Sequence, residues 1–279
     1  MNDITGILEY AFFRNALATA VLTSILSAMV GTYIVSRKIV FISGGITHAS
    51  FGGIGMAYFL GLNPFLGAAV FAVLSATGIE WISHRGKVRE DSAIAILWSL
   101  GMALGIIFVF MTPGYTPDLM GFLFGNILSV TLSDLYLLLA FCIVAGLFFW
   151  MFYRPIVNTA FDPEFASIVG VPVAFFRYAM SVMMALAIVI SIRSVGIILV
   201  LSLFTVPQIT AMLFTRNFAS VIPLAAFWGV LGSVLGLFAS YLLDIPSGAA
   251  IICMLTLQFL MVKLVVVIRE GLRRKGNSD

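Results

Sequence analysis

From Ala16 to Ser36 the chain carries no charged side chain, and comparable runs follow one another almost without pause to the C-terminal region. A helix needs roughly 20 consecutive apolar residues to cross the hydrocarbon core of a bilayer. Because that core offers no water to backbone N–H and C=O groups, only helices and closed barrels can span it. A barrel would show segments of about 10 residues alternating in and out, whereas these runs are apolar throughout apart from Thr and Ser. The chain therefore reads as an all-α polytopic membrane protein, a single transmembrane domain over residues 1–279 in contact with lipid. Its composition, 62% hydrophobic and only 10% charged, lies far from that of a soluble domain. The net charge of +3 is too small to imply nucleic acid as a partner.

The expected spans are 14–36, 43–61, 64–82, 92–111, 133–153, 175–193, 196–215, 219–243 and 247–268, which makes nine, or eight if one is re-entrant. Alternating these spans across the membrane puts Arg37, Lys38, Arg85, Lys87, Arg89, Arg154, Arg177, Arg216, Lys263, Arg269, Arg273, Arg274 and Lys275 on one side. Basic loop residues mark the cytoplasm, so the C-terminus is expected there. The other side receives Asp3, Glu9, Asp118, Asp134 and Asp244, with Arg14 and Arg193 as its basic residues. The first residues lack a basic stretch followed by a short apolar core and a cleavage site, so the first span is expected to act as the targeting signal. Cys142 and Cys253 lie in apolar runs and read as packing residues. Residues 112–134 read as a half-inserted helix or external lid. Residues 154–177 are too long for a plain turn and hold a short helical pattern over 163–169, either a docking element or an interfacial helix.

Catalytic and motor signatures are missing: there is no G-x-x-x-x-G-K-[ST] phosphate loop, no H-E-x-x-H and no G-x-S-x-G. The chain is not expected to be an enzyme, and active transport would draw on a partner subunit or an ion gradient. One of its two histidines, His48, falls well inside the second span, in SGGITHASFGG. An ionisable group at that depth is costly and marks a pathway or binding site by default; the alternative is a neutral imidazole hydrogen-bonded to a neighbouring helix. Gly44, Gly45, Gly52, Gly53 and Gly55 allow either a broken helix lining a cavity or close helix packing. Imidazole is a good ligand for zinc and other borderline metals, and Thr47 and Ser50 offer hydroxyls beside it. Glu80 is expected to snorkel or to pair with Arg85, and Gln208 to bond between helices or line a pathway.

The stretch FISGGITHASFGG resembles the F-L-G-D-A-L-S-H-A-x-x-P-G segment of the membrane permeases of zinc- and manganese-type ABC importers. EDSAIAILWSLGMALG at 90–105, FLFGNILSVTLSDL at 122–135, FDPEFASIVGVP at 161–172, LSLFTVPQITA at 201–211 and SYLLDIPSGAAI at 240–251 resemble the same family in the same order. The resemblance implies a type II ABC importer-like permease of eight or nine transmembrane helices in a bacterial inner membrane. It further implies a second copy of the chain, two copies of an ABC ATPase subunit and an extracytoplasmic metal-binding protein as partners. The cargo would be a divalent metal, with no cofactor permanently bound. Within 161–172, Phe161, Asp162, Pro163, Glu164, Phe165 and Gly170 are the expected contacts to the ATPase, and His48 is the expected transient metal site. The family's aspartate one turn before the histidine is Gly44 here, and its proline is Gly52. Asp and His at i and i+4 share a helix face, and the carboxylate supplies the hard oxygen that suits manganese. Its loss leans the expectation toward zinc over manganese. Two other readings stay open: a permease for a metal chelate or cobalamin-like cargo, and an ATPase-independent secondary carrier.

Overall fold

The computed structural model describes residues 4–7, 9–113 and 127–276, and every regular element among them is helical. A short α1 (Ile4–Ile7) precedes the long helices α2 (Ala11–Ser36), α3 (Phe41–Phe59), α4 (Pro64–Arg85) and α5 (Glu90–Met111). After a 3-10 turn at Ile127–Ser129 come α6 (Leu132–Met151), α7 (Tyr153–Phe161), α8 (Pro163–Ile168) and α9 (Val173–Val195). The chain ends in α10 (Ile197–Leu203), α11 (Val206–Met212), α12 (Phe218–Leu243) and α13 (Ser247–Gly276). Seven of these, α2, α4, α5, α6, α9, α12 and α13, are long and apolar enough to cross a membrane. The expected half-inserted helix or lid over 112–134 falls largely on residues 114–126, outside the described residues.

Each expected span has a helical counterpart, with two differences. Span 196–215 is two short helices, because Pro207 lacks the N–H that a continuous helix would bond one turn back. Gly196, at φ +84°, starts α10 from a backbone conformation that favours glycine. The second difference is α7, an amphipathic helix with Ile156 and Thr159 buried, inside what the sequence reading left as connection. The Asp162 side chain accepts from the Phe165 N–H at 2.9 Å and Pro163 occupies the first turn, so α8 begins as a separate helix where predicted.

The two ends of the bundle match the charge alternation. Arg37, Glu80, Glu90 and Arg177, from four chain regions, meet at one end, called here the basic end. At the opposite end Arg193 pairs with Asp134 and lies over the Phe65 ring, 4.8 Å from its centroid. The Asn15 side chain donates to the Val130 carbonyl at 3.5 Å, which puts the start of α2 at that opposite end too.

Helix α3 sits in the middle of the packing and owes its place to small residues. A Cβ on Gly53 would lie 2.1 Å from the Gly67 carbonyl oxygen of α4, and one on Gly55 would lie 2.4 Å from the Gly105 carbonyl oxygen of α5. On the α5 side, Gly101 lies against the backbone of Ala49. In lipid there is no hydrophobic drive between helices, so such close backbone approach and its dispersion contacts carry the association. Gly55→Val should therefore destabilise the protein by about 1–3 kcal/mol through overpacking. Gly146→Ala, with nothing within 4 Å of its added methyl, should leave stability unchanged or slightly raised. Thermal unfolding of the two variants in one detergent makes the comparison.

Candidate functional site

His48 stands near the middle of α3, half-buried, with its Nδ1 enclosed and, among the described residues, without a hydrogen-bond partner. Its imidazole lies flat against the indole of Trp98 from α5, ring centroids 4.5 Å apart and planes within 5° of parallel. The other two residues expected near the metal do not share this position. A helix turns by about 100° per residue, so Thr47 and Ser50 point to other sides of α3 from His48. Both are buried, and their hydroxyls donate to α3 carbonyls, Thr47 to Ser43 and Ser50 to Thr47 at 2.6 Å. Among the described residues no group of three or more His, Cys, Asp or Glu side chains comes together.

Gln208 serves α2. Its amide, fully buried, donates to the Ser27 carbonyl at 2.7 Å, and Gly31 one turn on makes room for it. Of the two expected roles, the interhelical bond is the one observed. Cys142 is buried and bonds to the Leu22 carbonyl at 3.4 Å, as a packing residue would, whereas Cys253 is exposed on the bundle surface.

At the basic end, Glu80 was expected to snorkel or to pair with Arg85. The structure pairs it instead with Arg177 of α9 at 3.4 Å and Arg37 at 3.7 Å. Arg37 also reaches Glu90 of α5 at 3.4 Å and the Tyr33 hydroxyl at 3.2 Å. Burial pulls the Arg37 guanidinium toward losing its proton, but the Tyr33 hydroxyl, Glu90 and Glu80 outweigh it. Its pKa is raised, and the group is a fixed cation. The Glu80 side chain is only 6% exposed. Charges so enclosed are tolerable only because each faces an opposite one.

This network borders the 161–172 segment. Phe161, Asp162, Pro163, Glu164 and Arg177 line a cleft of about 720 Å³ together with His84. Phe161, Phe165 and Ile168 are exposed on or beside α8, Ile168 at 83%, while Ala166 packs inward. Gly170, at φ +82°, turns the chain from α8 toward α9, and the Val171 N–H reaches the Ala166 carbonyl at 2.9 Å. A short, capped, rigid helix thus shows an apolar surface at the basic end, one helix away from the ion network.

The comparisons with known proteins bear on the whole of this arrangement. Residues 9–266 match the ABC 3 transport family. The chain belongs to that family. It is 33% identical over 261 residues to the manganese transport system membrane protein MntC of Listeria monocytogenes, covering 94% of this chain and 93% of that one. It is 34% identical over 258 residues to the manganese import system permease protein ScaB of Streptococcus parasanguinis, covering 92% of each. Among solved structures, PsaBC from Streptococcus pneumoniae in complex with Fab aligns at TM-score 0.81 and 34% identity over 93% of both chains. The ABC importer permease fold expected from the sequence is therefore the fold of this chain, a multi-pass membrane protein of the ABC 3 transport family.

Removing one partner from a buried ion network leaves the others uncompensated. Glu80→Gln takes the carboxylate from Arg177 and one of two from Arg37, which keeps Glu90, and should cost about 3–5 kcal/mol, read as a large drop in melting temperature in detergent. Asp91→Asn, which breaks only the exposed pair with Arg89, should leave that temperature unchanged.

Proposed function

We propose that this chain is the permease subunit of an ATP-driven importer of a divalent transition-metal cation in a bacterial inner membrane. The single observation that carries the reading is full-length membership of the ABC 3 transport family at a third identity to permeases named for manganese transport. Manganese is accordingly the first cargo to test. The expectation of zinc over manganese draws no support from these relatives; it rests on Gly44 alone, which removes the oxygen ligand beside His48.

The mechanism follows from the two ends and the middle. The basic end faces the cytoplasm by the rule for basic loops, which puts the C-terminus inside. There α8, with exposed Phe161, Phe165 and Ile168 beside Asp162, Glu164 and Gly170, docks an ATPase subunit. Movement of α8 reaches Arg177 through the short turn at Gly170, and from Arg177 it passes to Glu80, Arg37 and Glu90. Arg37 precedes α3 and Glu90 opens α5, so a shift in the network displaces the helix pair that carries His48 and Trp98. Such a network has two usable arrangements, which suits an element switched by nucleotide binding. Two copies of the chain face each other across the pathway, and an extracytoplasmic binding protein delivers the ion at the opposite end. A lone imidazole binds a borderline ion without trapping it, as conduction requires. Lipid surrounds the remaining apolar surface.

The test is isotope uptake into proteoliposomes holding the permease, its ATPase and its binding protein, across manganese, zinc, iron and cobalt. ATP-dependent manganese uptake that falls at least about tenfold in His48→Ala supports the reading, an interaction of about 1.4 kcal/mol or more. Uptake of chelates in preference to free ions, or uptake by the permease without an ATPase, would replace it with one of the two other readings. Ile168→Asp should abolish ATP-driven uptake while the purified permease keeps its melting temperature, because Ile168 is 83% exposed and needed only by the docked partner.

A further inference from the structure

Trp98 touches both His48 and the space one turn before it. A Cβ added to Gly44 would meet the Trp98 ring at 3.6 and 3.8 Å and the Leu201 side chain at 3.7 Å. Those are ordinary contacts, so alanine fits. A side chain reaching further competes with the indole for the room beside His48. The indole thus occupies the room into which a longer side chain at position 44 would extend.

The stack also sets the direction of the imidazole. Ring nitrogens of histidine carry their lone pairs and protons in the ring plane. With the planes within 5° of parallel, neither nitrogen can face Trp98, and both point sideways. Among the described residues the enclosed Nδ1 has no hydrogen-bond partner, so its in-plane position is free to meet a ligand beside the stack. The register between the two rings is set by a close glycine contact on either side: Gly45 against the Ile94 side chain, and Gly101 against the Ala49 backbone. Trp98 lies between those two points, so the stack moves only if α3 and α5 move against each other.

We propose that Trp98 is a positioning and selectivity-determining residue of the metal pathway, which orients His48 by stacking and excludes an oxygen ligand from position 44. The proposal rests on His48 being part of the pathway. It makes Trp98 a reporter of occupancy, because an ion bound to the stacked imidazole perturbs the adjoining indole.

The test uses the permease with its ATPase in nanodiscs, reduced to one tryptophan by Trp81→Phe, Trp150→Phe and Trp228→Phe. Titration with manganese chloride should quench Trp98 emission saturably, and His48→Ala should abolish that response. In transport assays on the complete importer, Trp98→Ala should raise the KM for manganese by about 2- to 10-fold with kcat little changed, the scale of one aromatic stack. Trp98→Phe, which keeps a ring there, should restore KM. Gly44→Asp should tighten manganese binding only when combined with Trp98→Ala. Wild-type uptake that depends on His48 while Trp98 emission ignores manganese would overturn the proposal and leave the proposed function intact. A Trp98→Ala defect confined to kcat and not rescued by Trp98→Phe would overturn it as well. A wild-type importer that moves no divalent metal would overturn both.

Discussion

The close approach of α3 to its neighbours is the constraint on which the rest of the structure depends. Glycines bring its backbone against the carbonyls of Gly67 and Gly105, and α5 returns the contact through Gly101 against Ala49. Because lipid supplies no hydrophobic drive between helices, these contacts must be made at backbone distance or not at all. They fix α3 in the centre of the fold, and they fix the height of His48 relative to Trp98. A helix so poor in large side chains fails the hydropathy expected of a spanning segment and is absent from the seven that meet it. Its polar and small residues are tolerated because its neighbours shield them from lipid.

From this centre, the arrangement is unequal toward the two ends. Among the described residues the opposite end carries the ion pair of Arg193 with Asp134, braced by Phe65. The basic end holds a chain of four charges that ties α4, α5, α9 and the turn before α3 together. Rigid helices joined by a few enclosed charges respond to displacement as units, since a partly separated buried pair is worse than either paired arrangement. The exposed apolar side chains of α8 supply the place where such a displacement can start.

How much of this could be read in advance depends on whether the signal was local. The spans were legible because a bilayer demands an uninterrupted apolar run. His48 stood out as an ionisable group in an apolar run, and α8 was visible from Asp162, Pro163 and Gly170, whose roles at a helix start and stop are local. Thr47 and Ser50 stand at offsets of one and two residues from His48 and so on other faces of α3, a separation readable from helix periodicity alone. Glu80 paired with Arg177 rather than Arg85, and no local pattern links residues 97 apart. Trp98 carried no signal either, since the meaning of its ring comes from contact with His48 and Gly44. The break at Pro207 was legible in principle, from a proline inside a run otherwise read as one span.

The remaining tension lies between family and first contact shell. The relatives are named for manganese, an ion that favours hard oxygen ligands, while the residue one turn before His48 is Gly44, beside the Trp98 ring. The most direct measurement is pulsed electron paramagnetic resonance of manganese bound to the complete importer. The account predicts nitrogen modulation from one or two imidazoles, lost in His48→Ala. Manganese bound in the membrane domain without any nitrogen coupling would contradict it.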